Sequence, residues 1–261
     1  SAYGGAILNL VGTIGNITGD FIGNYAKSEN SDARGGAIYN TGNATIGNIT
    51  GDFIGNYASG NEDAAGGAIY NYERTIGNIT GDFIGNYAKS TNGFAYGGAI
   101  LNYFGTIGKL DADDNLIGGI YGSFIGNHAT TTSTSELALG GAVYTASDMN
   151  FIADNQTIYF SGNYTEDPTQ GKIPNAIFVD TSRSSASNPV TIKLIAQNNG
   201  SIIFDDQIDG GKASGTTIDR TTAYNLTLTG DSTGSIYLNN SVINAKVTSD
   251  NINLNLGKNN V

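Results

Sequence analysis

The chain has no cysteine, which excludes disulfides and thiolate metal sites and suits a protein that crosses a periplasm unfolded. It has one histidine, His128. A Ser-His-Asp triad would have to use that residue, no GxSxG elbow is present, and one imidazole with carboxylates falls short of a usual zinc site. Basic residues are few: 12 against 23 acids give a formal charge of −11. Without a Lys/Arg stripe to neutralise phosphates, neither nucleic acid nor an anionic membrane surface is expected as a partner. No apolar run is long enough to span a bilayer, and no signal peptide or lipidation signal is found. Ser1 enters almost directly on a repeat, so a mature or trimmed piece of something larger is expected, with a neighbour or cap upstream of its first coil. Prolines number only three, and the 38 glycines follow no G-X-Y period, which excludes collagen and favours a turn-rich all-β chain.

What is present is a repeat. Gly35 to Ala65 reads GGAIYNTGNATIGNITGDFIGNYASGNEDAA, and copies begin at Gly4, Gly66 and Gly97, each 31 residues from the last, with a looser one at Gly140. A fixed period of this length marks a solenoid. The runs Gly36–Asn40, Thr45–Ile49 and Asp52–Asn56 lack helical spacing and are too short for helices, which predicts a β-helix with three short strands per coil. Stacking would align Ile7, Ile38, Ile69 and Ile100; Ile14, Ile46, Ile76 and Ile107; and Phe21, Phe53, Phe83 and Phe124 as internal columns. Asn24, Asn56, Asn86 and Asn127 are expected to form one asparagine ladder, and Asn9, Asn40, Asn71 and Asn102 another. The paired glycines fit a corner with unusual backbone angles or close approach between coils. One coil cannot fold alone, because three buried side chains give about 1.5–3 kcal/mol each against about 1–2 kcal/mol per ordered residue. Neighbours supply the remainder.

The expected organisation is one continuous β-helix over 1–261, with regular coils over 1–145 and degenerate ones over 146–261. Segments such as Ala176–Asp180, Val190–Ala196 and Ser235–Leu238 read as strands, and Pro168, Pro174 and Pro189 as turn positions. About ten coils would make a rod of ~45 Å. An insertion, Lys109–Tyr121, should protrude.

Four segments break the repetition: Tyr25–Arg34, Tyr57–Ala65, Tyr87–Tyr96 and His128–Leu139. A constant frame with variable loops is the usual division of labour in recognition. The candidate partner-binding residues are therefore Lys27, Glu29, Asp32 and Arg34; Asn61, Glu62 and Asp63; Lys89, Asn92, Phe94 and Tyr96; and His128 and Glu136. Tyr25, Tyr57 and Tyr87, or Tyr39 and Tyr70 with Leu8 and Leu101, are either an exposed stripe for a sugar or protein or a stacking column that stiffens the rod. The threonines Thr13, Thr45, Thr75 and Thr106 are explained by ordinary β-propensity.

Catalytic material is thin, and no cofactor is implied. Asp111, Asp113 and Asn115 match the start of a calcium loop, but Leu116 stands where glycine is needed and Gly122 where the bidentate glutamate should be. No metal site is expected. Asp205, Asp206 and Asp209 form a second acidic group, and Arg34, Arg74, Arg183 and Arg220 share no register with either. A β-helix polysaccharide-degrading enzyme and a purely structural stalk are the alternatives to a binding module. Grouping of Asp111, Asp113, Asp205 and Asp206 in one groove would favour the enzyme.

The alternation of GGAI at Gly4, Gly35, Gly66 and Gly97 and GGAV at Gly140 with FIGN or FSGN at Phe21, Phe53, Phe83, Phe124 and Phe160 resembles the GGA(I/V/L) and FxxN motifs of the chlamydial polymorphic outer-membrane proteins and related autotransporter passengers. The later GSIIFDDQIDG and GDSTGSIYLNN are similar to closing coils of such passengers. The resemblance implies a right-handed parallel β-helix displayed on a Gram-negative cell surface through a barrel not present in this chain. It also implies an adhesin role toward a host cell-surface protein, glycan or immune receptor.

Overall fold

Residues one period apart become hydrogen-bonded neighbours. The computed structural model describes residues 1–113, 115–185 and 187–257; it is all-β, and no helix occurs among the described residues. Ile38 pairs with Ile69 and Ile69 with Ile100, in parallel register. Ile46 likewise meets Ile14 and Ile76. These isoleucines are buried from the second coil onward.

The second coil shows the path. Ile38–Ile46 lies in a first ladder, Ile49–Thr50 in a second, Phe53–Ile54 in a third, Tyr57–Gly60 in a fourth and Ala64–Ala65 in a fifth. Of the predicted runs, Gly36–Asn40 falls on the first ladder and Asp52–Asn56 on the third, whereas Thr45–Ile49 spans the corner between the first and the second. The fourth and fifth are strands that the sequence reading assigned to variable loops. Tyr57, Ala58 and Ser59 pair with Tyr87, Ala88 and Lys89, and Ala64 pairs with Ala33 and Ala95. Their inward residues are alanines, too small to register as a hydrophobic pattern, yet Ala58, Ala64, Ala88 and Ala95 are fully buried.

Phenylalanine rings stack along the interior, with Phe21, Phe53, Phe83 and Phe124 at centroid distances of 4.8, 4.7 and 4.7 Å, and Phe160 and Phe204 continue the column. Both asparagine ladders are present. Asn56 Nδ2 donates to Asn86 Oδ1 at 3.0 Å and to the Phe21 carbonyl at 2.8 Å; Asn40 Nδ2 donates to Asn71 Oδ1 at 2.9 Å. The first ladder of amides runs on through Asn127 and Asn163 and ends on Asp206, whose Oδ2 accepts from both the backbone and the side-chain nitrogen of Asn163 at 2.8 Å. At the corner, Gly35 has φ +64°, and a Cβ on Gly36 would lie 2.0 Å from the Gly67 carbonyl oxygen. Only glycine permits that approach.

The path changes after Tyr164–Asp167. Gly171–Asp180 turns back antiparallel along it and then joins the first ladder beneath Val143–Thr145, so a hairpin replaces the fifth ladder. Pro174 lies within that strand rather than in the predicted turn, opposite Tyr164. The coil from Thr191 carries Thr191–Gln197, Ser201–Phe204 and Gln207–Ser214, the last in a hairpin with Thr217–Asp219, and the next carries Tyr224–Gly230, Ser235–Leu238 and a bridge from Val242 to Ile208. The second and third ladders each hold eight strands, so the described residues make eight turns rather than the expected ten.

A candidate recognition cleft between the first and fifth ladders

Two columns of side chains face each other outside the main core. From the fifth ladder come Tyr3, Arg34, Ala65, Tyr96 and Leu139 in register. From the first come Tyr39, Tyr70, Leu101, Tyr144 and Phe178. All but Tyr3 and Arg34 belong to a second apolar cluster, in which Tyr70 is 6 % and Leu101 5 % exposed. The Tyr39 and Tyr70 column is therefore a packed seam rather than an open stripe.

The seam has a gap. Ala65 stands where the adjoining coils carry Arg34 and Tyr96, and Leu101 stands between Tyr70 and Tyr144. The missing bulk leaves a cleft of about 180 Å³, walled by Tyr70, Tyr72, Tyr96, Tyr103 and Tyr144, with Arg34 and Asp63 supplying charge. Tyr72 and Tyr103 pair directly across the first ladder, their rings 5.8 Å apart. Sequence reasoning missed both. The signal was a tyrosine after Asn71 and Asn102 where earlier coils have Leu10 and Thr41.

The charges around the cleft are partly spoken for. Arg34 Nη2 contacts Asp32 Oδ2 at 2.7 Å, and its guanidinium lies 5.6 Å from the Tyr70 ring centroid. Burial opposes the Arg34 charge, but Tyr70 and Asp32 outweigh it and raise its pKa. Asp32 Oδ1 accepts the Asp63 amide at 3.2 Å, and Asp63 Oδ1 accepts the Phe94 amide at 2.9 Å. Burial raises the Asp63 carboxyl above its ordinary range. Glu136 is raised by burial and by Asp63, and its Oε2 is buried without a partner. Burial, then Asp63, Glu136 and Asp180, push the Tyr96 phenol up. Tyr144 donates its hydroxyl to Asp180 Oδ2 at 2.8 Å.

Of the residues expected to bind a partner, the structure thus gathers Asp32, Arg34, Asp63, Phe94, Tyr96 and Glu136 around one seam, Phe94 stacking on Tyr96 at 5.0 Å. Others lie elsewhere. Lys27 and Glu29 form an exposed pair 3.7 Å apart. Asn61 accepts from Asn92 Nδ2 at 3.1 Å at an outer turn, Glu62 is exposed beside it, and Lys89 is an exposed fourth-ladder residue. His128 belongs to a separate column, stacked between Tyr87 at 5.2 Å and Tyr164 at 4.8 Å. Tyr25, Tyr57 and Tyr87 continue that column at 5.2 and 4.8 Å, with ring planes within 9°. Stacked rings cover each other's faces and show solvent only their edges, and Lys172 Nζ sits 3.7 Å over the Tyr164 ring. The interior rings of this column have both faces covered, while the end ring, Tyr25, is 57 % exposed.

The acidic groups are locally satisfied. Asp111 Oδ1 accepts the amides of Asp113 and Asn115 at 2.9 Å inside the insertion, whose Asp114 lies outside the described residues. Asp206 ends the amide ladder, and Asp209 holds Arg220 Nη2 at 2.6 Å. Asp206 lines a groove with Tyr164, Lys172 and Pro174. A separate cleft beside the insertion, about 380 Å³, is lined instead by residues such as Leu110, Asn115, Asp148 and Lys193. There Asn150 Nδ2 is committed to the Leu116 and Gly118 carbonyls and Asp148 Oδ1 to the Thr191 amide. Among the described residues, no group of three or more His, Cys, Asp or Glu is placed to hold a metal ion.

Fold and cleft together define a parallel β-solenoid repeat protein with a lateral, tyrosine-walled cleft. The chain matches none of the family models, curated proteins or solved structures with which it was compared.

Proposed function

We propose that the chain is a bacterial autotransporter passenger: one continuous right-handed β-helix, displayed on the outer membrane of a Gram-negative bacterium through a barrel outside this chain. Its role is adhesin-like recognition of a host cell-surface protein, glycan or immune receptor, without catalysis. Right-handedness follows from the general preference of parallel strand crossovers. The GGAI and FIGN resemblance supports surface display. One observation carries the recognition role: a gap opens in a packed seam, and the surrounding ladders hold its walls. Tyrosines fixed in this way provide contact area at low conformational cost.

The test is binding of the tetramerised domain to host epithelial and immune cells and to a glycan array, beside the Ala65→Tyr variant. That substitution restores the column and fills the cleft. The expected result is binding to at least one surface, abolished by Ala65→Tyr with the melting temperature unchanged or raised. Binding that survives Ala65→Tyr would move recognition away from the cleft, and no binding to any surface would leave a stalk.

A further inference from the structure

The seam repeats a motif and then omits half of it. In the first coil Asp32 and Arg34 sit two residues apart, the carboxylate on the guanidinium at 2.7 Å and the guanidinium against the Tyr70 ring. In the next coil the same two places hold Asp63 and Ala65, since Ala64 pairs with Ala33 and Ala65 with Arg34. The carboxylate is kept and its cation is gone. The space left by the missing side chain is the cleft, and Asp63 lines it.

We propose that the cleft takes the cationic end of a basic side chain, an arginine above all, presented by a protein partner, which completes the Asp63 and Ala65 coil as Arg34 completes the preceding one. This rests on the recognition role assigned above. Size, charge and aromatic walls each support it. At about 180 Å³ the space falls below the ~300–1,000 Å³ of small-molecule sites and suits one anchoring side chain of a larger surface. Arg34, already paired with Asp32, only partly offsets the burial of Asp63, Arg183 is held over the Phe104 ring at 4.1 Å, and Glu136 Oε2 has no partner. Tyrosine rings beside carboxylates favour a guanidinium or ammonium over a neutral or anionic group. Burial has lifted the Asp63 and Glu136 carboxyls, the state that an incoming cation relieves.

The experiment uses the intact domain carrying ring-labelled tyrosine, titrated by NMR with Nα-acetyl-arginine amide, its lysine counterpart and its neutral isostere Nα-acetyl-citrulline amide, and with methyl glycosides. Saturable shifts at Tyr72, Tyr96 and Tyr103 are expected with the arginine probe and weaker ones with lysine. The arginine shifts should weaken about tenfold or more in Asp63→Asn or Glu136→Gln. Asp63→Asn keeps an oxygen for the Phe94 amide, so the fold is retained. Ala65→Arg supplies the missing side chain from within: it should abolish probe binding and raise the melting temperature. Equal response to citrulline, preferential response to a glycoside, or no response to any probe would each overturn the assignment. These probes need no host partner. Cell binding that Ala65→Tyr abolishes, in a domain indifferent to arginine, would leave the recognition role standing and remove only the cation.

Discussion

His128 shows how a single residue departs from a repeat without leaving it. The fourth-ladder column has tyrosine at Tyr25, Tyr57, Tyr87 and Tyr164, and the imidazole lies between the last two with ring planes within 9°. Burial lowers its pKa below the ordinary 6.5, the Gly126 backbone bond pulls the other way, and Lys172 lowers it further while Glu166 raises it. A histidine with a depressed folded pKa gives stability that is complete above the unfolded value and is lost as pH falls through the folded one. The melting temperature of the wild type should therefore drop between pH 7 and pH 5 relative to His128→Tyr, which removes the titration and completes the column. Parallel melting curves for the two proteins across that range would show that the imidazole titrates as in the unfolded chain. The histidine's place in the tyrosine column was legible from register alone. The consequence for its charge was not, because burial comes from side chains of other coils.

At the scale of one element, the amide ladder explains why the repeat keeps asparagine at FIGN. Each amide accepts from the coil before and donates to the coil after, so an interior member satisfies partners it does not adjoin in sequence. Asn56 accepts from both Asn24 nitrogens at 3.0 Å and donates to Asn86 and to the Phe21 carbonyl. Asn56→Ala should cost about 1–3 kcal/mol or more, since it leaves buried groups unpaired. Urea unfolding measures this, and Asn16→Ala at an exposed ladder position is the control. Asp206 ends the ladder because an ionised carboxylate accepts and need not donate; the next coil then owes it nothing. The asparagines were readable in advance from their period. Asp206 was not, since it looked like one of several acids in a turn until its distance to Asn163 placed it in the column.

At the scale of the molecule, the coils are exchangeable where the period is exact. Deleting Gly35–Ala65, 31 residues, joins Arg34 to Gly66 and sets Phe21 on Phe83 and Tyr25 on Tyr87. The shortened chain should fold, be shorter by ~4.8 Å in solution scattering, and lack the cleft, because Asp63 and Ala65 leave with the coil. Removing Gly51–Ala65 alone shifts every inward residue and should give an unfolded or aggregated product. A folded half-coil deletion would show that register is not what holds the stack together.

The sequence by itself determined the stacking. The spacing of isoleucine, phenylalanine, asparagine and paired glycine at near-constant intervals dictates which residues meet, because parallel in-register pairing is the arrangement that buries all of those columns together. It also marked the segments where composition varies. Only the tertiary structure decided what those segments do. Alanines carry too little apolar area to announce a strand, so the fourth and fifth ladders emerged only once Ala58, Ala64, Ala88 and Ala95 were seen fully buried, Ala58 with Ala26 and Ala33 and Ala95 with Ala129 and Ala138. The cleft is further still from the linear sequence. It is a property of absence, an alanine and a leucine aligned with larger neighbours on two different ladders, and it exists only when coils about 31 residues apart are brought side by side.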